Sequence, residues 1–432
     1  MHKDGMKNII MSDRRILSWC LYDVGNSAFA TTILAAVFPV YFKEVAAINL
    51  TPEIATAYWG YASSFSLMLS AFLAPLLGTM ADVRGSKKDL LLFFTLVGII
   101  STSLMSLLGP ENWKWALSLL ILSSAGFSAA IIFYDSLLPH IVSLNEIDRV
   151  SAQGFAFGYL GGGLLLALNL LMIKNLPGTL GVRLSFLTVS MWWGIFTVPL
   201  ILNVPEPPVF REKVIRGKNI AKASFIRLKE TFTEIRKYRE LFKFLFAFWL
   251  YNDGIGTIIR MAAIYGAQLG FSMINLVGAL LLTQFTGVPF SLIFGRVAEK
   301  IGAKRAIFIA LAWYFCICIG AVFLSSSWHF WILALSVGMV QGGAQAISRS
   351  LYASMVPKIQ SAEFFGFYDI SSKFAGIIGP ALFGLITQIT GSSRIGIAAL
   401  SLTFILGMLI LTKVDVAQGQ KIAAEKSVTL GQ

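Results

Sequence analysis

Four carboxylates, Asp23, Asp135, Asp253 and Asp369, fall inside long apolar runs, and each follows a tyrosine by one or two places, at Tyr22, Tyr134, Tyr251 and Tyr368. Basic groups are interspersed in the same way, at Arg260, Arg349 and Lys373. An ionisable group in hydrocarbon is costly, so it persists where it is paired, hydrated, protonated or part of a path for a solute or a proton. Proton carriage, ion-pair gating and contact with a charged solute are the chemistries such a set can perform. Asp23 is the candidate for proton carriage, with Asn26 three places on and hence on the same helical face. Apolar surroundings favour the neutral form of a carboxylic acid, as a group needs if it is to load and unload a proton. The other reading of Asp23, a hydrogen bond to Asn26 or to a neighbouring helix that only holds the first span in place, stays open.

Asp253 and Arg260 lie seven places apart, on nearly one face and about 10 Å apart along a helix axis. A guanidinium keeps its charge, so Arg260 needs an anion, from the protein or from a solute. Asp253 is a candidate both for solute contact and for proton coupling. Gly254 and Gly256 between the two charges are expected to break the helix and expose backbone groups. Gln284, Gln341 and Gln345 are, with Asn26, the polar candidates for lining a solute site, although a buried glutamine also serves helix–helix hydrogen bonds. Asp135 with Arg349, and Asp369 with Lys373 four places on, lie near the ends of spans and read as gates, because the worth of an ion pair depends strongly on whether it is desolvated.

The elements that must position these groups are membrane helices. Of 432 residues, 56% are hydrophobic and 13% charged, and apolar runs longer than about 18 residues recur along the chain. The expected class is an all-α polytopic membrane protein with twelve transmembrane helices in two pseudo-symmetric six-helix bundles. Spans are predicted at 16–43, 54–80, 89–109, 113–139, 150–174, 182–203, 241–269, 273–298, 304–325, 329–356, 363–390 and 393–413. Pro39 is expected to bend the first of them, and Gly154, Gly158 and Gly161 to Gly163 let a neighbour approach the fifth.

The two-fold plan rests on repeats. The turn GTMADVRGSKKDL at 78–90 returns as GRVAEKIGAKRAI at 295–307, so that Gly78, Ala81, Asp82, Gly85, Lys87 and Lys88 fall on Gly295, Ala298, Glu299, Gly302, Lys304 and Arg305. LYDVGN at 21–26 is echoed in LYNDGIGTIIR at 250–260, and Pro139 by Pro357. Matching segments in the same order argue for duplication. The domains expected are a bundle over 1–203, a linker over 204–240, a bundle over 241–413 and a tail over 414–432. In the linker, Phe225, Leu228, Phe232 and Ile235 recur opposite Lys222, Arg227, Lys229, Arg236 and Lys237, the pattern of an amphipathic helix on a membrane surface.

The net charge of +13 is an orientation signal, not a nucleic-acid footprint. With both termini inside, only Lys43, Lys114, Lys174, Arg183 and Arg394 fall outside, and Arg260, Arg296, Arg349 and Lys373 lie within or at the ends of helices; the other cations lie on the cytoplasmic side. The apolar run behind the basic N-terminus is too long for a signal peptide, so the first span is expected to stay in the membrane. Cys20, Cys316 and Cys318 fall in predicted helices with no disulfide or metal-ligand spacing. His2, His140 and His329 are scattered, which leaves no cluster for a membrane enzyme, and no nucleotide-binding loop is present. No catalytic residue, metal or cofactor is expected.

The repeated turn resembles the pattern G-x-L-A-D-R-x-G-R-K-x-x-L of the major facilitator superfamily: Gly78, Ala81, Asp82, Gly85, Lys87 and Leu90 match, with Met80, Val83 and Ser86 departing. That resemblance implies a gating role for Asp82, in contact with the start of the eleventh helix, and by repetition for Glu299. WCLYDVGNSAFATTILAAVFPVYF at 19–42, GFAFGYLGGG at 154–163 and AEFFGFYDISSKFAGIIGP at 362–380 are similar to the vacuole-effluxer-like branch, which comprises fungal vacuolar amino-acid exporters and bacterial relatives. The resemblance implies a secondary transporter working by alternating access in a bacterial cytoplasmic membrane. Its expected partners are a small polar or zwitterionic solute of amino-acid type, protons and lipid, and it is expected to act as a monomer. Transport of an amphiphile such as a lipid is the alternative; a non-transporting receptor or a membrane enzyme is the reading from another class.

Overall fold

The computed structural model describes residues 13–207, 237–268, 273–374 and 378–429. Helices make up the ordered elements, and no strand occurs among the described residues. In chain order they are α1 (Arg14–Ala46), α2 (Pro52–Arg84), α3 (Lys87–Leu104), α4 (Trp113–Ile141), α5 (Ile147–Asn175), α6 (Leu180–Asn203), α7 (Arg239–Gln268), α8 (Met273–Ile301), α9 (Ala303–Ala321), α10 (Ser327–Ser354), α11 (Ser361–Phe374) and α12 (Ile378–Thr390). They are followed by α13 (Ser393–Thr412) and α14 (Val416–Thr429). Ten of the described helices are long and apolar enough to cross a membrane. The seventh predicted span is α7, whose charges, Asp253 among them, lower its hydropathy; α11 and α12 occupy the eleventh.

The chain divides into two compact units: Met1–Leu67, Ser86–Ser143 and Phe157–Pro207 form the first, and Met68–Gly85, Leu144–Ala156 and Pro208–Gln432 the second. In the first unit α1 is the central element. Its Trp19, Tyr22, Phe29 and Phe38 are fully buried, and Phe29 packs against Phe127 and Trp193 with ring centroids 5.1 and 5.5 Å apart. The glycines of α5 admit α1: a side chain at Gly158 or Gly161 would run into Ser27 or Val24. Beyond this contact α1 widens into a π-helix over Phe29–Val37 and again over Phe42–Ala46, on either side of a short α-helical turn that carries Pro39. A proline cannot donate to the preceding turn, and a π-turn is one way a helix absorbs that irregularity.

The two copies of the repeated turn fold alike. Each helix ends on a glycine with positive φ, Gly85 at 67° and Gly302 at 90°, where a side chain would be strained. Each glycine amide bonds back to the alanine of its copy, Ala81 and Ala298, at 2.8 Å. The helix that follows the first copy, α3, has its N-terminus held by Glu206: Oε1 accepts from the amide of Lys87 at 2.7 Å and Oε2 from that of Lys88 at 2.9 Å. Lys88 Nζ in turn donates to the carbonyl of Ile201 near the end of α6.

Burial raises the Glu206 carboxyl above its ordinary value of 4.5, against the lowering effect of the two amides and of Lys87. For a raised carboxyl the native state holds more protons than the unfolded one, so its contribution to stability is complete below pH 4.5 and declines as pH rises through the folded value. Thermal unfolding followed from pH 4.5 to neutrality is expected to show this decline in the wild type and to lack it in Glu206→Gln. At pH 4.5 the variant, in which an NH2 group replaces one of the two accepting oxygens, should be about 1 kcal/mol less stable than the wild type, and the difference should narrow towards neutrality.

Two expectations are modified. Gly254 and Gly256 do not break α7, which runs unbroken from Arg239 to Gln268. Gly254 is a contact point: a side chain there would strike Thr403 Oγ1 and the Phe404 ring. The segment over 414–432 is not merely a tail, since α14 packs within the second unit, Gln420 Nε2 donating to Ser354 Oγ at 3.2 Å and the amide of Lys358 donating to Ser427 Oγ at 3.3 Å. The amphipathic pattern centred on Phe225 to Ile235 lies outside the described residues.

Candidate functional site

In the first unit the site is built on Asp23, whose exposure is 7%. Tyr134 on α4 donates its hydroxyl to Asp23 Oδ2 at 2.7 Å, and Asn26 Nδ2 approaches Oδ1 at 3.4 Å. Tyr134 is itself fixed from two sides. Its ring stacks on Trp19 at 4.5 Å and lies 4.8 Å from Tyr22, while Trp19 Nε1 donates to the Tyr134 carbonyl at 3.1 Å. Tyr22 closes the cluster through a 2.9 Å hydrogen bond with Thr95 Oγ1. Chemically this is a buried carboxyl group held at a set position by a hydroxyl donor that cannot drift, so a change in its protonation alters hydrogen bonding across α1 and α4 directly. Asp135, next to Tyr134, is buried on the same helix.

The second unit repeats the aromatic frame. Tyr368 stacks on Phe248 at 4.4 Å and on Tyr352 at 4.9 Å, and Tyr251 shares a 2.6 Å hydrogen bond with Ser348. Asp253, 2% exposed, sits mid-way along α7 beside the first turn of α12, where a side chain at Gly379 would meet Asp253 Oδ2 and Thr257 Oγ1. The side chain of Arg260 lies outside the described residues. Gln284 on α8 and Gln341 on α10 each have an amide oxygen shut off from solvent with no hydrogen-bond partner among the described residues, and Gln345 is half-buried on α10. Thr283 Oγ1 of α8 bonds the Ala334 carbonyl of α10, and Phe294 abuts Gly343, so the two helices run in register. Gln284 and Gln341 are thereby separated by about two helical turns, or ~10 Å.

Of the expected gating residues, Asp82, Glu299 and Lys373 stand in the last turn of their helices, and Asp135, Arg349 and Asp369 lie further in. Asp82 accepts from the amides of Ala362 at 3.3 Å and Glu363 at 2.8 Å, the first turn of α11, a favourable place for a carboxylate. In the second copy Glu299 is 3.6 Å from Arg149 at the start of α5, and Arg149 also pairs with Glu146 at 3.0 Å. Asp369 and Lys373 form an ion pair at 3.4 Å within α11. Arg349 donates from Nε to Ser151 Oγ at 2.9 Å and from Nη2 to the Ser151 carbonyl at 3.0 Å, with its guanidinium 4.5 Å from the Phe155 ring centroid. Ser151 and Phe155 carry no signal in the sequence. Serine and phenylalanine are ordinary residues in a membrane helix, and only tertiary contact reveals what they hold.

Comparison with known proteins accords with this geometry. The family described as vacuole effluxer Atg22-like matches residues 51–424. The MFS-type transporter YxiO of Bacillus subtilis is 38% identical over 417 residues, covering 93% of this chain and 96% of its own. Autophagy-related protein 22 of Saccharomyces cerevisiae is 25% identical over 425 residues, covering 86% and 80%. Among solved structures, the human organic anion transporter MFSD10 superposes with a TM-score of 0.74 at 13% identity, over 92% of this chain and 99% of that one. The proton:xylose symporter XylE superposes at 0.71 and 14%, over 96% and 98%. The fold is therefore that of the major facilitator superfamily, and the chain belongs to the vacuole effluxer Atg22-like family, a membrane transporter and not an enzyme.

Proposed function

We propose that this transporter couples protons to the movement of a small zwitterionic solute of amino-acid type by alternating access, as a monomer in a bacterial cytoplasmic membrane with both termini inside. The observation that carries the reading is a buried carboxyl group well inside a span of each unit, Asp23 at 7% exposure and Asp253 at 2%. Such groups are maintained in hydrocarbon where they serve a pathway. Asp23 takes the proton, Asp253 meets the solute ammonium or a second proton, and Arg260 meets the solute carboxylate. Asn26, Gln284, Gln341 and Gln345 supply neutral hydrogen bonds. Asp82, Glu299, Asp135, Arg349, Asp369 and Lys373 hold helix ends together in one state and release them in the other.

The test is reconstitution in liposomes with an imposed pH gradient and a panel of labelled amino acids, peptides and lipids. Saturable, gradient-dependent uptake of an amino acid is the expected result. Arg260→Ala should raise the apparent KM about tenfold or more, as loss of a charge-assisted contact of ~1.5–3 kcal/mol requires. An unchanged KM removes the anion-contact role from Arg260, and movement of lipid alone replaces the zwitterion with an amphiphile.

A further inference from the structure

Beneath the second copy of the turn lies a cavity of about 900 Å³, lined by Gly302, Lys304 and Arg305 at the start of α9 and by Lys413 and Val416 beyond α13. In the first unit the corresponding amides are occupied. There the Glu206 carboxylate receives the amides of Lys87 and Lys88, the residues that align with Lys304 and Arg305. The chain leading to the carboxylate also has its counterpart. Val204 is buried and its amide bonds back to Leu200; Val414 is buried and its amide bonds back to Leu411. Lys88 Nζ reaches the Ile201 carbonyl, and in the second unit it is Lys304, which aligns with the neighbouring Lys87, whose Nζ reaches the carbonyls of Thr412 and Val414. Two places after each valine come Glu206 and Val416. Where the first unit has a carboxylate, the second has an isopropyl group and a cavity.

The amides are available. The N-cap of α9 is Gly302, with no side-chain cap, and the first bond of the helix runs from the amide of Ala306 to the Gly302 carbonyl at 3.1 Å, so the amides of Lys304 and Arg305 precede the helical ladder. Three acids also line the cavity, Asp148, Glu299 and Asp415: Ser350 Oγ donates to Asp148, the amide of Gln418 donates to Asp415, and Glu299 faces Arg149 as an ion pair at 3.6 Å. Arg305 and Lys413 are exposed at its edge.

We propose that this cavity binds an oxyanion, a carboxylate or phosphate group, on the amides of Lys304 and Arg305, with the Arg305 and Lys413 side chains closing over it, in the place that the Glu206 carboxylate occupies in the first unit. Bound there, the anion ties the start of α9 to the chain after α13, as Glu206 ties α3 to the chain after α6. Helix N-termini and cations together favour such a ligand. The oxyanion comes either from solution or from an anionic lipid headgroup. The site does not depend on what the protein transports.

The experiment uses the full-length protein in phosphatidylcholine nanodiscs, titrated with inorganic phosphate and then acetate against sodium chloride of equal ionic strength, with thermal unfolding read by tryptophan fluorescence. A saturable rise in unfolding temperature beyond the chloride control is expected. Arg305→Ala with Lys413→Ala should weaken the apparent affinity at least tenfold. Val416→Glu should raise the unfolding temperature without added anion and abolish the response to phosphate and acetate, because it restores the carboxylate of the first unit. If the gain appears only when phosphatidylglycerol replaces part of the phosphatidylcholine, and the same variants lose it, the oxyanion is a lipid headgroup. Equal responses in wild type and variants, or no response to phosphate, acetate or phosphatidylglycerol, overturn the proposal.

Discussion

Asp23→Asn is expected to abolish accumulation driven by a pH gradient while leaving the protein folded and able to exchange solute down its own gradient. One unit of pH is worth about 1.4 kcal/mol per proton, which at one proton per solute supports a tenfold accumulation; the variant should return that tenfold to equality. The substitution is conservative in the sense the structure demands. Asparagine keeps an oxygen to accept from the Tyr134 hydroxyl, which now bonds Asp23 Oδ2 at 2.7 Å, and it keeps the volume of a side chain buried to 7% exposure. What it removes is the capacity to bind a proton. Tyr134→Phe separates the two readings of Asp23. It deletes the hydroxyl but leaves the titratable group, so accumulation should persist at a changed rate if Asp23 carries the proton. Should Asp23→Asn accumulate solute tenfold under the same gradient as the wild type, Asp23 serves only to hold α1 against α4 and the coupling group lies elsewhere.

The charges are legible in the sequence because an apolar run makes every carboxylate stand out, and the repeated turn because its residue types recur at matching places. Both are local or periodic signals. The same holds for Gly78 and Gly85, whose place in the turn is written in neighbouring residues. Glu206 is hidden: it lies in a proline-rich stretch that reads as the start of a linker, and the amides it receives belong to Lys87 and Lys88, far off in the chain. Ser151 and Phe155 are hidden for a similar reason, since nothing in their type announces that they hold Arg349. Gly254 misleads in the other direction. A glycine beside a buried charge reads as a break, yet the packing of Thr403 and Phe404 against it requires the absence of a side chain within an unbroken helix. A pattern of residue types marks where backbone freedom is available; only packing decides whether it is used for bending or for approach.

Approach is what Gly78 provides, and Gly78→Ala is expected to be the most damaging of the single-methyl changes. A Cβ at Gly78 would overlap the carbonyl of Ala362 and press on Glu363 Cα, and from the other side a Cβ at Gly366 would meet the Ala74 carbonyl and Pro75. The obstacles are backbone atoms that cannot swing aside as a flexible side chain would, so the start of α11 has to move. That movement pulls the amides of Ala362 and Glu363 from the Asp82 carboxylate, which they reach at 3.3 and 2.8 Å. The overpacking should lower stability by about 1–3 kcal/mol, an effect only partly offset by the ~1 kcal/mol that alanine gains over glycine within a helix. Gly60→Ala in the same helix is the control, since nothing lies within 4 Å of the added methyl, and its effect should stay within about 0.5 kcal/mol or be stabilising. Because both features act through the start of α11, the costs of Gly78→Ala and Asp82→Asn should be non-additive, the double variant losing at least ~0.5 kcal/mol less than the sum. Thermal unfolding and initial uptake rates of the four variants and the wild type decide it. Additive losses, or a Gly78→Ala protein that behaves like Gly60→Ala, would show that Asp82 and the glycine contact act separately, and α2 and α11 would then have to be held together by some other pair of residues.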